Sequence, residues 1–253
     1  MLRIGKAGAI TTLVLDNTAR RNALDAAMVA ALEPALAAAD ADPACRCIVI
    51  KGAGADFCSG RDLGDAGDDW KLEQYVQYDA AWSGTIDRLW RMSTPSVAVV
   101  RGYAVAGGFT LAMACDFVLA DESAKFGALE MRRGFPAAVN TAVLAHKAAP
   151  RHALELLLSA DTHSAQRLLA MGLINRVAPD EAALAAVEKE FVGALAALDA
   201  TAVRLTKETF RAAVAMPYSE SMTLGSQLNA LLMASGRIAA AEDAYRGGKK
   251  GAG

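Results

Sequence analysis

The stretch Arg101-Gly-Tyr-Ala-Val-Ala-Gly-Gly-Phe-Thr-Leu-Ala-Met-Ala-Cys-Asp116 constrains this chain more than any other. Before it, residues 96–100 form a short valine-rich run that reads as a buried strand. Gly107 and Gly108 then open a segment, 109–114, built of good helix formers. Paired glycines at a helix start let a ligand approach the backbone, because no side chain intervenes. The first N–H groups of a helix lack internal acceptors, and that end is electropositive. A strand feeding such a turn can hold an oxygen that gains negative charge. Taken alone, Gly-Gly more often marks a tight turn packed with small residues, so the rest of the chain must decide.

Strand and helix signals alternate around this stretch. Residues 9–16 read as a strand, followed by a polar turn at 17–22. A helix capped by Asp25 runs to about residue 40, with Met28, Leu32 and Leu36 spaced by four. Residues 46–51 are a strand apolar on both faces, which predicts cover on both sides. A glycine-rich loop, 52–62, leaves it. The acidic stretch 62–71 is expected to be mobile, and a helix follows at about 70–92. Short strands are expected near 117–120 and 125–126. Helices are expected near 138–147 and 151–158, then one from Ser164 to about 172, before a strand at 174–177. The alternation predicts an α/β core over residues 1–195 with largely parallel pairing. Beyond Pro179 only helices are expected (181–198, 202–215, 218–235, 237–246), so residues 196–253 read as a helical C-terminal region.

The net charge of −2 argues against nucleic acid as a partner, since phosphate neutralisation needs a basic excess. No window approaches eighteen charge-free apolar residues, so no membrane span is expected. The start lacks an apolar signal core. Cys45, Cys47, Cys58 and Cys115 show no paired spacing and read as small hydrophobes in a reducing, cytoplasmic setting. His146, His152 and His163 show no ligand spacing to them, so no metal site is expected.

Two loops leave neighbouring strands with little bulk, Ser59-Gly60-Arg61 and Ala106-Gly107-Gly108. If they converge, the N–H groups of Arg61 and Gly107 can bind one oxygen and stabilise an enolate or tetrahedral oxyanion. Phe57-Cys-Ser-Gly-Arg-Asp-Leu63, then Gly102-Tyr-Ala-Val-Ala-Gly-Gly108 and Cys115-Asp116, resemble the crotonase, or enoyl-CoA hydratase/isomerase, family. Asn17-Thr-Ala-Arg-Arg-Asn-Ala-Leu24 and Met171-Gly-Leu-Ile-Asn-Arg-Val177 are similar to its early and late motifs. The resemblance implies a spiral core of ββα units and a helical C-terminal region used in a homotrimer or a dimer of trimers. It implies an acyl-CoA thioester substrate, with coenzyme A entering as part of that substrate and no separate cofactor. Its carbonyl oxygen would sit between the Arg61 and Gly107 amides. The CoA cleft would lie near Ala23, Ser59, Gly60, Asp62 and Leu63, and Arg20, Arg21, Lys249 and Lys250 are candidates for its nucleotide end.

The family places acidic residues at two positions, matched here by Thr110 and Glu130. Hydration across a conjugated double bond needs one group to activate water and another to protonate Cα. A threonine hydroxyl can hydrogen-bond a water but is no base near neutrality. One carboxylate suffices to carry a proton from C2 to C4 of a 3-enoyl thioester. The residues therefore lean towards isomerisation or an atypical one-carboxylate hydration, with Glu130 as general acid/base. Thioester hydrolysis or decarboxylation on the same scaffold, and a catalytically silent CoA-binding subunit, are the alternatives. Asp68, Asp69 and Asp79 lie in a variable region near the acyl end and read first as solvated. Arg132, Arg133 and Asn140 raise the option of an oxygen-bearing acyl group, with solvent-facing arginines the simpler reading. Trp82, Thr85 and Trp90 read as core before they read as acyl-cavity lining.

Overall fold

The computed structural model describes residues 1–62, 64 and 70–238. Its main sheet has six strands in the order β1-β2-β3-β4-β6-β9. β1 (Leu2–Ala7) and β2 (Ile10–Leu15) form an antiparallel hairpin, and every later pairing in this sheet is parallel. β3 (Cys47–Gly52), β4 (Ser96–Val100) and β6 (Phe117–Asp121) form its centre, and β9 (Arg176–Ala178) closes it. A smaller sheet joins β5 (Tyr103–Val105), β7 (Lys125–Gly127) and β8 (His163–Ser164). Isolated parallel bridges, Leu24 with Arg61 and Cys58 with Ala104, connect the loop after β3 to the chain on either side. Successive passes of the chain thus add a strand to the large sheet and a short extended segment to the small layer. This is the spiral that the resemblance implied.

The continuous apolar strands are explained by cover on both faces. Cys47, Val49, Val97, Val99 and Leu119 pack towards Leu184 and Val192 of α7 (Glu181–Ala196). Their alternates, Ile48, Ile50, Ala98, Val100 and Val118, join the larger core with α1 (Ala26–Ala41), α2 (Leu72–Arg91) and α3 (Gly107–Ala114). Asp25 caps α1 as expected, its carboxylate accepting from the Met28 N–H at 2.7 Å. Ser164 caps α6 (Ala165–Ala170), and α4 (Ala138–Lys147) and α5 (Pro150–Leu158) fall where the pattern predicts them. The last strand begins at Arg176, two residues later than expected; just before it, Asn175 bonds Val118 through both its backbone N–H and its side-chain oxygen.

The chain divides into two compact units, residues 1–200 and those from Thr201 onward. The second contains α8 (Ala200–Val214, its first residue in the first unit) and α9 (Tyr218–Ala234). The predicted helix at 237–246 lies mostly outside the described residues, as do Leu63, Asp68, Asp69, Lys249 and Lys250. Among the described residues no helix is long and apolar enough to cross a membrane, and no cluster of three His, Cys, Asp or Glu could hold a metal ion.

Candidate active site

β3 and β4 are parallel neighbours, so the loops leaving their C-terminal ends start side by side. The loop after β3 is shaped by Asn22, which is fully buried at φ +56°. Its side chain donates to the Ala53 and Asp56 carbonyls at 2.8 and 2.6 Å and accepts from the Asn17 N–H at 2.9 Å. Asparagine tolerates this left-handed backbone better than most residues. The loop is then held between two partners. Leu24 N–H donates to Gly60 O and Asp62 N–H to Leu24 O, both at 2.8 Å. On the other side Cys58 N–H donates to Tyr103 O at 2.8 Å and Val105 N–H to Cys58 O at 3.0 Å.

In extended chain, successive N–H groups point to opposite sides. Gly60 O and Asp62 N–H engage Leu24, so the Arg61 N–H points away from it, towards the start of α3. There the loops meet. A methyl built on Gly107 would lie 3.2 Å from the Arg61 nitrogen, and one built on Gly60 would lie 3.3 Å from the Gly107 nitrogen. Among the described residues neither N–H donates to an acceptor. Ala106, just before α3, is held at φ +50°, ψ −122°, a backbone that side-chain-bearing residues avoid at a cost of about 1–3 kcal/mol. Its N–H is fixed to Gly127 O at 2.8 Å. This strain turns the chain so that Gly107 leads the helix.

Glu130 opens a 3₁₀ turn, Glu130–Arg133, after β7. Asn140, one turn into α4 and 1% exposed, donates from Nδ2 to Glu130 Oε1 at 2.9 Å and to Ala106 O at 3.4 Å. One amide thus ties the acid to the residue preceding Gly107. Burial pushes the Glu130 carboxyl above its ordinary range, opposed by its own backbone N–H and by Asn140. Thr110 is buried one turn into α3, with Oγ1 directed back to Ala106 O at 3.2 Å. Among the described residues four buried side-chain polar atoms lack partners: Arg61 Nε, Glu130 Oε2, Asn140 Oδ1 and His152 Nδ1. Three of them belong to residues around the start of α3, and orphaned polar atoms of this kind mark functional ground.

The remaining candidates sort themselves by contact. The Arg61 side chain pairs with Asp79 at 2.7 Å and lies over the Tyr78 and Trp82 rings, 4.7 and 5.8 Å from their centroids. Trp82, 2% exposed, packs 3.5 Å from where a Gly107 methyl would be, so the core residue is also a wall of the site. Thr85 is fully buried and Trp90 stacks near His146. Arg20 pairs with Asp62, and Arg21 lies over Tyr103, on the outer side of the 20–24 and 59–62 segments that carry Ala23, Ser59 and Gly60. Arg132 and Arg133 are exposed, and Arg132 pairs with Asp161 at 2.9 Å. The oxygen-bearing acyl option therefore gains nothing from these two. Asn140 parts company with them because it is buried behind Glu130.

The enoyl-CoA hydratase/isomerase family model matches residues 5–247. The chain belongs to that family. A provisionally named enoyl-CoA hydratase of Thermus thermophilus is 33% identical over 240 residues, covering 94% of each chain. Enoyl-CoA hydratase EchA19 of Mycobacterium tuberculosis is 31% identical over 89% of this chain and 85% of its own. Among solved structures, an enoyl-CoA hydratase/isomerase family protein from Silicibacter pomeroyi superposes with a TM-score of 0.86 at 31% identity, covering 92% of this chain and all of its own. Family members act on acyl-CoA thioesters. Asn22, Ala106 and the Asn140 contact were not legible as site features. Asn22 stood inside a recognised motif, but two of its three partners come from residues 53 and 56.

Proposed function

We propose that the chain moves a proton between C2 and C4 of a 3-enoyl-CoA thioester, with Glu130 as its sole acid/base. The Glu130 carboxylate takes a proton from C2, and the electron pair of that bond enlarges the π-system onto the thioester oxygen. The Arg61 and Gly107 N–H groups donate to this oxygen, each worth roughly 3–4 kcal/mol in related chemistry. Collapse of the dienolate forms C2=C3, and C4 receives the proton from the Glu130 carboxyl. Proton and electrons balance without a second acid or a metal. Coenzyme A arrives as part of the substrate, with Ala23, Ser59, Gly60, Asp62 and Leu63 along its cleft through backbone contacts. A cytoplasmic homotrimer or dimer of trimers, assembled through the helical region, completes this reading.

The observation that carries it is Thr110. Where a second carboxylate would activate water, a hydroxyl is turned back onto Ala106 O, while Glu130 keeps its place. The names of the relatives favour a second reading, hydration of a 2-enoyl-CoA with Glu130 acting alone. Incubation with matched 2-enoyl, 3-enoyl and malonyl-type CoA esters separates the possibilities by product. Isomerised 3-enoyl ester with little 3-hydroxyacyl product supports the proposal. Dominant hydration, hydrolysis or decarboxylation replaces it. Glu130→Gln is expected to lower turnover by about 10²–10⁴, and unchanged turnover on the best ester removes Glu130 from the reaction.

A further inference from the structure

We infer that Asn140 is a positioning residue whose amide holds the Glu130 carboxyl by a hydrogen bond, in register with the oxyanion turn. The inference rests on the reading of Glu130 as the acid/base. Asn140 is 1% exposed, and its Nδ2 reaches both Glu130 Oε1 and Ala106 O. The orientation of its amide is fixed by chemistry: Ala106 O can only accept, so the atom facing it is Nδ2. The same nitrogen faces Glu130 Oε1 at 2.9 Å, so the carboxyl must accept there as well. Both amide hydrogens are thereby committed, one to the acid and one to the carbonyl beside Gly107. A donor locked in this way favours the charged carboxylate, against the burial that disfavours it. It also transmits the position of the Ala106 turn to the acid, so that base and oxyanion donors stay aligned.

Among the described residues no charged group pairs with the Glu130 carboxyl. α3 carries no charged residue on any face. On the acid's own turn Arg132 is exposed and paired with Asp161, and Arg133 is exposed. The Arg61 guanidinium is paired with Asp79, and on α4 His146 and Lys147 lie at the far end, against Trp90. Burial is opposed by two neutral donors, the acid's own backbone N–H and the Asn140 amide, and of these only Asn140 is a side chain that a substitution removes.

The test is a ¹³C-carboxyl NMR titration of Glu130, assigned by its loss in Glu130→Gln, in wild type and in Asn140→Leu, which keeps volume and removes the donor. The Glu130 titration is expected to move up by about one to two pH units. The acid limb of kcat/KM should move with it, while KM changes little. Asn140→Asp, which puts a second carboxylate in place of the donor, should move the titration further and answers the question if the leucine variant does not fold. Asn140→Gln should recover part of the shift. An unmoved titration in a folded variant overturns the inference, whether or not activity falls. Loss of activity in Asn140→Leu with Glu130→Gln fully active would instead remove the acid/base reading itself.

Discussion

Gly108→Ala tests the apposition of the two loops directly. A methyl on Gly108 would stand 2.2 Å from the Cys58 carbonyl oxygen and 2.8 Å from its carbon. These are backbone atoms, and Cys58 O is itself held by the Val105 N–H, so no side chain can swing aside. Reaching even the 3.0 Å that real contacts rarely undercut requires the start of α3 and the 58–61 loop to separate by close to 1 Å. The Arg61 and Gly107 amides ride on those two segments. A displacement of about 1 Å costs on the order of 10²-fold in rate, and loss of one oxyanion donor about 10²–10³. Overpacking costs about 1–3 kcal/mol, a loss that a chain of this size survives. kcat/KM on the preferred acyl-CoA, followed by chromatography of the esters, is expected to fall about 10²-fold or more. Melting should drop by only about 2–12 °C. Gly5→Ala, with no atom within 4 Å of its methyl, is the matched control and should keep full activity. A folded Gly108→Ala enzyme with wild-type kcat/KM would refute the claim that these loops form the oxyanion site.

Further outcomes follow from the same geometry. Because burial raises the Glu130 pKa in the folded chain, ionising it costs stability above that raised value and nothing below its ordinary 4.5. Glu130→Gln is therefore expected to melt higher than wild type at pH 8 and to lose that advantage at pH 4; equal differences by calorimetry at both pH values would contradict this. Asn22→Ala removes three hydrogen bonds, two of them to the carbonyls of the 53–60 loop, and should cost about 2–5 kcal/mol in urea unfolding, with an unchanged midpoint as the contrary result. Burial pushes the Cys58 thiol up to about 12, and all four cysteines are buried. A disulfide reagent at pH 8 should label none in the native protein and four after denaturation, and one rapidly labelled native thiol would count against it.

The central strands were readable because their residues are apolar on both faces, and only a covered parallel strand tolerates that. β1 was not readable as a separate strand. Apart from the half-buried Leu2 it is exposed, and it exists because β2 offers it an antiparallel edge. β5 and β8 have three and two residues, too few for any period, and arise only where other segments line up beside them. The capping of α1 and α6 was readable since Asp25 and Ser164 act on N–H groups three residues away. Glu130 was legible as an acid matched to a family position, while its environment was not.

The family resemblance set a threonine where a second carboxylate would serve, and by itself the sequence determined the local terms: which runs become strands, where α3 starts, and that two loops lack bulk. These follow from propensity, period and side-chain chemistry, which act over a few residues. Only the tertiary structure decided that residues 22, 61, 106, 107, 130 and 140 share one place. Their separation along the chain is closed by parallel strand pairing and by single hydrogen bonds such as that from Asn140, and no local pattern encodes a partner so far away.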